Sequence, residues 1–260
     1  MAREEDVQFL KNSAAVAGMT VALAASQGAA QEPSSVRILL DLKKTYAACH
    51  SYRDRGEVQV RGLVEGGSFG STVPFHTAFV RGGVFRFQLT DRGLGERESR
   101  LVLWALGGQV RTWWEAGGGE RAVESLSAGL AAAAGVSAGA SLRVPGLLLP
   151  GEVSGGVFLS APERLADEEE RGVLCYRLQG GGRPTPYQLV TGSGSVTVED
   201  EQITVWVDRT SLLLRKVEER RTLSTYRTVT VTLYEPEVNI DIPPKDLAFP
   251  PDGGAGDRRL

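Results

Sequence analysis

An alternation of apolar and polar residues is the sequence feature that most restricts the fold. It begins near Glu57 and is interrupted by turn residues at roughly every eight to twelve positions. Two strands flank the turn at Gly82-Gly83, and each carries its large residues on one face: Phe75, Thr77 and Phe79 on the first, and Phe85, Phe87 and Leu89 on the second. This pattern is typical of antiparallel hairpins. The sequence therefore predicts a mainly β protein.

Further strands are predicted by the same criteria. They cover residues 58–60, 100–106, 110–114, 157–160, 172–178, 202–207, 212–219 and 225–234. The Gly-rich and Ser-rich residues 180–194 predict a surface loop or a long hairpin tip. Turns of this kind, at this spacing, indicate a meander of hairpins.

Helical spacing occurs in two places. Pro33 is followed by Ser34 and Ser35, either of which can cap a helix that precedes the sheet. A second, Ala-rich helical region lies between residues 120 and 150, where Pro145 interrupts it. A helical insertion therefore separates two sets of strands.

Some of the strands are apolar on both faces, notably residues 101–104 and 212–214. Neither face of such a strand can lie against water, so each must be covered. Helices packed into the concavity of a curved sheet would cover one of them. We therefore expect a curved antiparallel sheet, an incomplete half-barrel, with a helical lid in the concavity and a cavity between lid and sheet.

The two chain ends have the composition of segments outside the folded domain. Residues 14–25 are apolar and Ala-rich, follow Lys11, and are succeeded by small residues up to Ala30. This layout is typical of a signal peptide, although Glu4 and Glu5 are unusual near its start. We expect a signal peptide at residues 1–31, a single domain at 32–251, and a disordered tail at 252–260. The protein would then be periplasmic or otherwise exported.

The charge and the motifs exclude several classes of function. The chain has 29 Lys and Arg against 32 Asp and Glu, without the basic stripe that nucleic acid requires. Its only histidines are His50 and His76, and no nucleophile elbow, metal-ligand pair or phosphate loop is present. His76 is expected on the strand face opposite Phe75, and the acidic residues 167–170 in a solvated loop. We expect no enzyme, no cofactor and no metal.

The two cysteines leave two alternatives open. In an oxidising compartment Cys49 and Cys175 can form a disulfide, provided that the leading helix packs near the strand at residues 172–178. The other alternative is a pair of buried thiols.

Several segments, in chain order, resemble the periplasmic lipoprotein carriers of the LolA and LolB type. The helix leading into Ser51-Tyr52 is similar to the first helix of that family. The other matching segments are residues 79–87, 107–113, 205–208 with 214–217, and 247–251. Gly82 stands where proline is usual. The resemblance spans most of the chain after residue 31.

The resemblance implies a sheet of eleven strands with a helical lid over an apolar cavity that holds a lipid, an acyl chain or a lipidated protein. In that family an arginine beside the aromatic turn bonds to the backbone of the lid, and Arg81 occupies the matching position. The candidate cavity-wall residues are Phe75, Phe79, Phe85, Phe87, Leu103, Trp113, Val205 and Val207. The alternative for each of them is ordinary core packing, and a register slip of one residue would exchange the two faces.

Two functions therefore compete. One is a non-enzymatic carrier or sensor of lipid or lipoprotein, monomeric and either soluble or peripheral to a membrane. The other is an envelope scaffolding or regulatory interaction protein whose interior is filled by its own side chains. The size of the apolar cavity distinguishes them.

Overall fold

A computed structural model describes residues 32–91, 98–116, 118–191 and 194–249. The predicted signal peptide at residues 1–31 and the predicted tail at 252–260 lie outside the described residues. The helices are α1 (Ser35–Ala48), α2 (Leu126–Ala133), α3 (Ala140–Leu148) and α4 (Pro244–Leu247). The strands are β1 (Ser51–Val64), β2 (Gly67–Val80), β3 (Val84–Asp91), β4 (Ser99–Leu106), β5 (Gln109–Trp114), β6 (Gly119–Val123), β7 (Ser160–Arg164), β8 (Glu168–Glu170), β9 (Val173–Gly181), β10 (Tyr187–Thr191), β11 (Gly194–Asp208), β12 (Leu214–Leu223), β13 (Arg227–Tyr234) and β14 (Glu237–Val238).

The described strands form one antiparallel sheet of 14 strands. Its continuous path runs β6-β5-β4-β3-β2-β1-β13-β12-β11-β9-β7, and β8, β10 and β14 pair beside it. That path contains eleven of the 14 strands, whereas the resemblance implies eleven strands in all. Its two ends, β6 and β7, do not pair with each other, so the sheet is not closed. The mainly β fold with an open antiparallel sheet is confirmed.

The first helix forms where the sequence predicts it. The Ser34 side chain accepts a hydrogen bond from the Arg37 backbone N–H and caps the first turn of α1. The buried face of α1 carries Ile38, Leu42 and Tyr46. The ring of Tyr46 packs against that of Tyr52 of β1 in a tilted arrangement, 5.6 Å between centroids, and its hydroxyl accepts a hydrogen bond from the Leu214 backbone N–H. The helix is therefore fixed to one face of the sheet.

Strand register separates the two faces of the sheet. Phe79 of β2 pairs with Phe85 of β3, and Phe87 pairs with Leu103 of β4. Because paired residues point to the same face, these aromatic residues form one surface, which we call the concave face since α1, α2 and α3 cover it. We call these three helices the lid. The opposite surface is the convex face.

The convex face of β4 is covered as well. Trp104 donates from Nε1 to the carbonyl oxygen of Leu247, at 2.9 Å, and stacks on Phe249 at 5.4 Å between ring centroids. The segment that includes α4 thus covers β4 on the face opposite Leu103. The expectation that a strand apolar on both faces is covered on both sides is confirmed for residues 101–104.

Three local predictions are wrong. The strand predicted at residues 157–160 is displaced to Ser160–Arg164, and Gly119–Val123 forms an edge strand where a helical region is predicted to begin. The acidic residues 167–170 are not a free solvated loop, because Glu168–Glu170 pairs with β9 as a short strand. Their carboxylates are also engaged: Asp167 with Arg209, Glu168 with Arg177, and Glu170 with Lys216.

Candidate functional site

Seven of the eight candidate wall residues lie in one buried core cluster beneath the lid. They are Phe75, Phe79, Phe85, Phe87, Leu103, Val205 and Val207. Strand pairing extends this surface across the sheet, because Val205 of β11 pairs with both Val217 of β12 and Leu178 of β9. The concave face therefore carries apolar residues from β2 to β4 and again from β9 to β12, and we call this surface the floor.

Trp113 does not belong to that floor. It pairs with Val102, whereas Leu103 pairs with Thr112, so Trp113 points to the convex face. There its ring lies 5.5 Å from the guanidinium of Arg100. Because β5 has large side chains on both faces, its sequence pattern does not show which side chains point to the concave face. The prediction of Trp113 as a wall residue on the same face as Leu103 is wrong.

The lid lies directly on the floor. The seven floor residues are between 0% and 5% exposed. At Gly129 of α2, an added Cβ would lie only 2.4 Å from Leu103 Cδ1, so a larger residue there would require the Leu103 side chain to move. In this conformation the lid helices pack directly against the floor.

Arg81 joins the ends of two lid helices. Its Nε donates to the carbonyl oxygen of Cys49 at 2.7 Å, and its Nη2 donates to the carbonyls of Tyr46 and Leu148, both at 3.2 Å. These carbonyls are at the C-termini of α1 and α3, where a cation is favourable. The arginine also lies over the ring of Phe79, at 5.2 Å. The side chain is nevertheless solvent-exposed, so water competes for these bonds.

A second polar connection between lid and sheet was missed by the sequence reasoning. Arg143 of α3, which is 8% exposed, forms an ion pair with Glu219 of β12, which is 4% exposed. Glu219 also binds Arg221 at 3.2 Å, and Arg221 binds Glu201 at 2.6 Å. Burial lowers the pKa of Arg143, and the neighbouring Tyr234 and Glu201 partly offset that lowering. The lid is therefore connected to the sheet by a largely buried charged pair.

The same network reaches the hairpin formed by β10 and β11. Glu201 accepts hydrogen bonds from the Tyr187 hydroxyl at 3.0 Å and from the Arg183 backbone N–H at 2.9 Å. Burial by itself would raise the pKa of Glu201, but the bonds from Arg221 and the Arg183 backbone outweigh it, and the pKa is lowered. The carboxylate thus stays ionised within the network.

A buried carboxyl group lies on the floor beneath α1. Asp54, with no exposed surface, accepts from the Tyr52 hydroxyl at 2.8 Å and from the Thr77 backbone N–H at 2.9 Å. Burial raises the pKa of Asp54 to about 6, against the opposing effect of these two hydrogen bonds. Its donors are structural groups of neighbouring strands, so the carboxyl group fixes β1 to β2.

The cysteines and histidines have structural positions. Cys49 and Cys175 are free, buried thiols, the second of the two alternatives, and burial raises the pKa of both, that of Cys175 to about 11. Cys49 donates to the carbonyl of Thr45, and Cys175 to that of Val173. His76 pairs between Phe75 and Thr77 on the opposite face, as predicted, and is half-buried.

Comparisons with known proteins return structures of low similarity. No family profile and no curated protein matches the sequence. LprF from Mycobacterium bovis is 11% identical, with a TM-score of 0.41, over 80% of this chain and 94% of that structure. A LolA superfamily protein from Nitrosomonas europaea is 14% identical, with a TM-score of 0.30, over 84% and 98%. MucB in complex with MucA(peri) is 12% identical, with a TM-score of 0.42, over 82% and 59%.

All three TM-scores are below 0.5, so the architecture described above rests on strand pairing and not on these matches.

Proposed function

We propose that the protein is a non-enzymatic carrier or sensor that binds an acyl chain, as a lipid or as part of a lipidated protein, between its lid and the concave face. The observation that carries the proposal is the arrangement of the lid. Its helices cover an apolar floor, and two arginines connect them to each other and to the sheet: Arg81 at the helix ends and Arg143 on α3.

Binding on this floor needs no acid, base or metal. Each methylene removed from water contributes about 0.8 kcal/mol, so a chain of ordinary length can be held by apolar contacts alone. The side chains that cover the floor in the closed form must first move, and the free energy of opening the lid reduces the observed affinity. The strength of the lid connections therefore sets both affinity and release rate.

The experiment is binding and release of a fluorescent fatty acyl analogue by the wild type and by Arg81→Leu. Arg81 is exposed, so its bonds should contribute about 1 kcal/mol, and their loss should speed release about fivefold. Arg55→Leu is the matched control, because Arg55 is an exposed arginine of β1 without an ion-pair partner among the described residues. Circular dichroism checks that both variants fold.

Unchanged affinity and release in a folded Arg81→Leu variant would show that Arg81 is no latch. A wild type that binds no acyl analogue would remove the carrier function altogether. The second candidate would then remain: a scaffolding or regulatory protein with a filled core, which the near-complete burial of the floor residues favours.

We also propose that the protein acts outside the cytoplasm, on the basis of the signal-peptide pattern in residues 1–31. In the part of the chain that the structure describes, no helix combines the length and apolarity needed to cross a bilayer. N-terminal sequencing of protein made in its source organism tests the proposal. A start near residue 31 or 32 supports export, and an intact Met1 or Ala2 contradicts it.

A further inference from the structure

One end of the sheet carries exposed apolar side chains that the proposed cavity does not use. In the hairpin of β1 and β2, Leu63 is 62% exposed, Val64 is 41% exposed and Phe69 is 50% exposed. Tyr226, in the neighbouring turn between β12 and β13, makes an edge-to-face contact with Phe69, with ring centroids 6.1 Å apart. We call these four residues the apolar tip.

The apolar tip presents side chains on both faces of the sheet. Phe69 pairs with Gly62 and lies over it, since an added Cβ there would be 2.0 Å from the ring, and this pair belongs to the concave face. Val64, two residues from Gly62, points to the same face, and Leu63 to the convex face. A partner surface lying on one face of the hairpin would cover only part of this set.

Two arginines flank the apolar tip. Arg227 pairs directly with Leu63 across β1 and β13, and Arg61 is two residues from Leu63 on the same face. Both are exposed, and neither forms an ion pair among the described residues. Glu65, in the turn beside Val64, is the one exposed acidic residue of this hairpin end.

We propose that the apolar tip inserts into the interface of an anionic lipid bilayer, with Arg61 and Arg227 against the headgroups. A bilayer surrounds an inserted hairpin and so buries side chains of both faces, which a flat protein surface does not. Aliphatic and aromatic residues at the end of the hairpin suit the apolar interface, and Arg227 beside Leu63 and Arg61 two residues behind it can reach the anionic headgroups with their long side chains. The insertion does not depend on the acyl site, although a carrier that exchanges cargo at a membrane would use it.

The experiment is co-sedimentation of the ligand-free protein with vesicles of phosphatidylcholine, alone or with phosphatidylglycerol. The double variant Leu63→Ser/Phe69→Ser should lower partitioning onto the mixed vesicles at least about tenfold. The matched control is Leu106→Ser/Leu174→Ser. These two leucines are 43% and 51% exposed, and they lie beside turns at the opposite end of the strands. The control should partition like the wild type.

Charge variants test the arginines separately. Replacing either Arg61 or Arg227 by Gln should weaken binding to the mixed vesicles by about fivefold, and Glu65→Gln should strengthen it. None of these changes should alter binding of the acyl analogue in solution, so this proposal and the proposed function can fail independently.

Three outcomes would overturn the proposal. The first is a wild type that does not bind the mixed vesicles. The second is equal loss of binding in the control and tip variants. The third is a wild-type dimer in sedimentation velocity that Leu63→Ser/Phe69→Ser dissociates, because the apolar tip would then be an interface between two copies.

Discussion

The buried pair of Arg143 and Glu219 should contribute more to closing the lid than Arg81 does. Removing one member of a buried ion pair costs about 3–5 kcal/mol, because the other charge is left without a partner. In Arg143→Met, Glu219 keeps Arg221 at 3.2 Å, so we expect a smaller loss in the free energy of unfolding, about 2–3 kcal/mol. In Glu219→Met, Arg143 stays buried on α3 without its partner, and we expect the full loss.

The double variant Arg143→Met/Glu219→Met separates pairing from packing. It replaces both charges by apolar side chains of similar length, and Arg221 keeps Glu201 at 2.6 Å. We expect it to be more stable than Glu219→Met alone and near the wild type, because neutralising both members of a buried pair is often neutral.

The assay is urea unfolding of the four proteins, followed by tryptophan fluorescence and far-UV circular dichroism. Coincident curves from the two probes establish that a single transition is being measured. A coupling of more than about 1.5 kcal/mol between the two sites supports the pair as a connection between lid and sheet. Losses in the two single variants that add within about 0.5 kcal/mol in the double variant would refute it.

Three further predictions concern single groups. The pKa of Asp54 is raised to about 6, so the folded state keeps a proton that the unfolded chain releases near pH 4. The free energy of unfolding should therefore fall by about 3 kcal/mol as pH rises from about 4 to about 6. Urea titrations at several pH values measure this fall, and Asp54→Asn should flatten it. Gly129→Val should destabilise the fold by about 2 kcal/mol in thermal unfolding, since the new side chain overlaps Leu103; an unchanged midpoint would mean that α2 is displaced easily. Thiol titration should find two thiols, Cys49 and Cys175, only after unfolding, and a count below two would indicate a disulfide.

The sequence was most informative where one strand face is apolar and the other is not. The sequence predicts that Phe75 and Phe79 share one face, and that Phe85 and Phe87 after the Gly82 turn share one face. Strand register confirms both and places all four side chains on the same face. The same reasoning failed for Trp113, whose strand is bulky on both faces. Register with β4, which is a tertiary property, decides that case.

The sequence reasoning did not predict the buried ion pairs. The sequence nevertheless contains signals for the pairs Arg143–Glu219 and Glu219–Arg221. Arg143 is the only charged residue in α3, whose other residues are apolar or small and largely buried. In β12, Glu219 and Arg221 alternate with Glu218 and Arg220, so one acid and one base fall on the same face as Val217. A charge in an apolar helix and a pair of charges on an inward strand face together predict a buried ion pair. Sequence alone does not show that these two segments meet.

The edges of the sheet were least predictable. Strand Gly119–Val123 follows a Gly-rich turn and is largely exposed, so no apolar alternation marks it. Strand Glu168–Glu170 consists of acidic residues with low strand propensity and is held by pairing with β9 and by its ion pairs. In both strands, hydrogen bonding to the neighbouring strand outweighs the weak strand propensity of the local sequence.

Native mass spectrometry of the protein, purified without detergent, tests the central claim most directly. We expect one acyl-bearing lipid bound per chain, and a faster loss of that lipid when Arg81 or Arg143 is replaced. A folded protein that is ligand-free and takes up no acyl analogue at all would contradict it, because the apolar floor would then be only the core that the lid already fills.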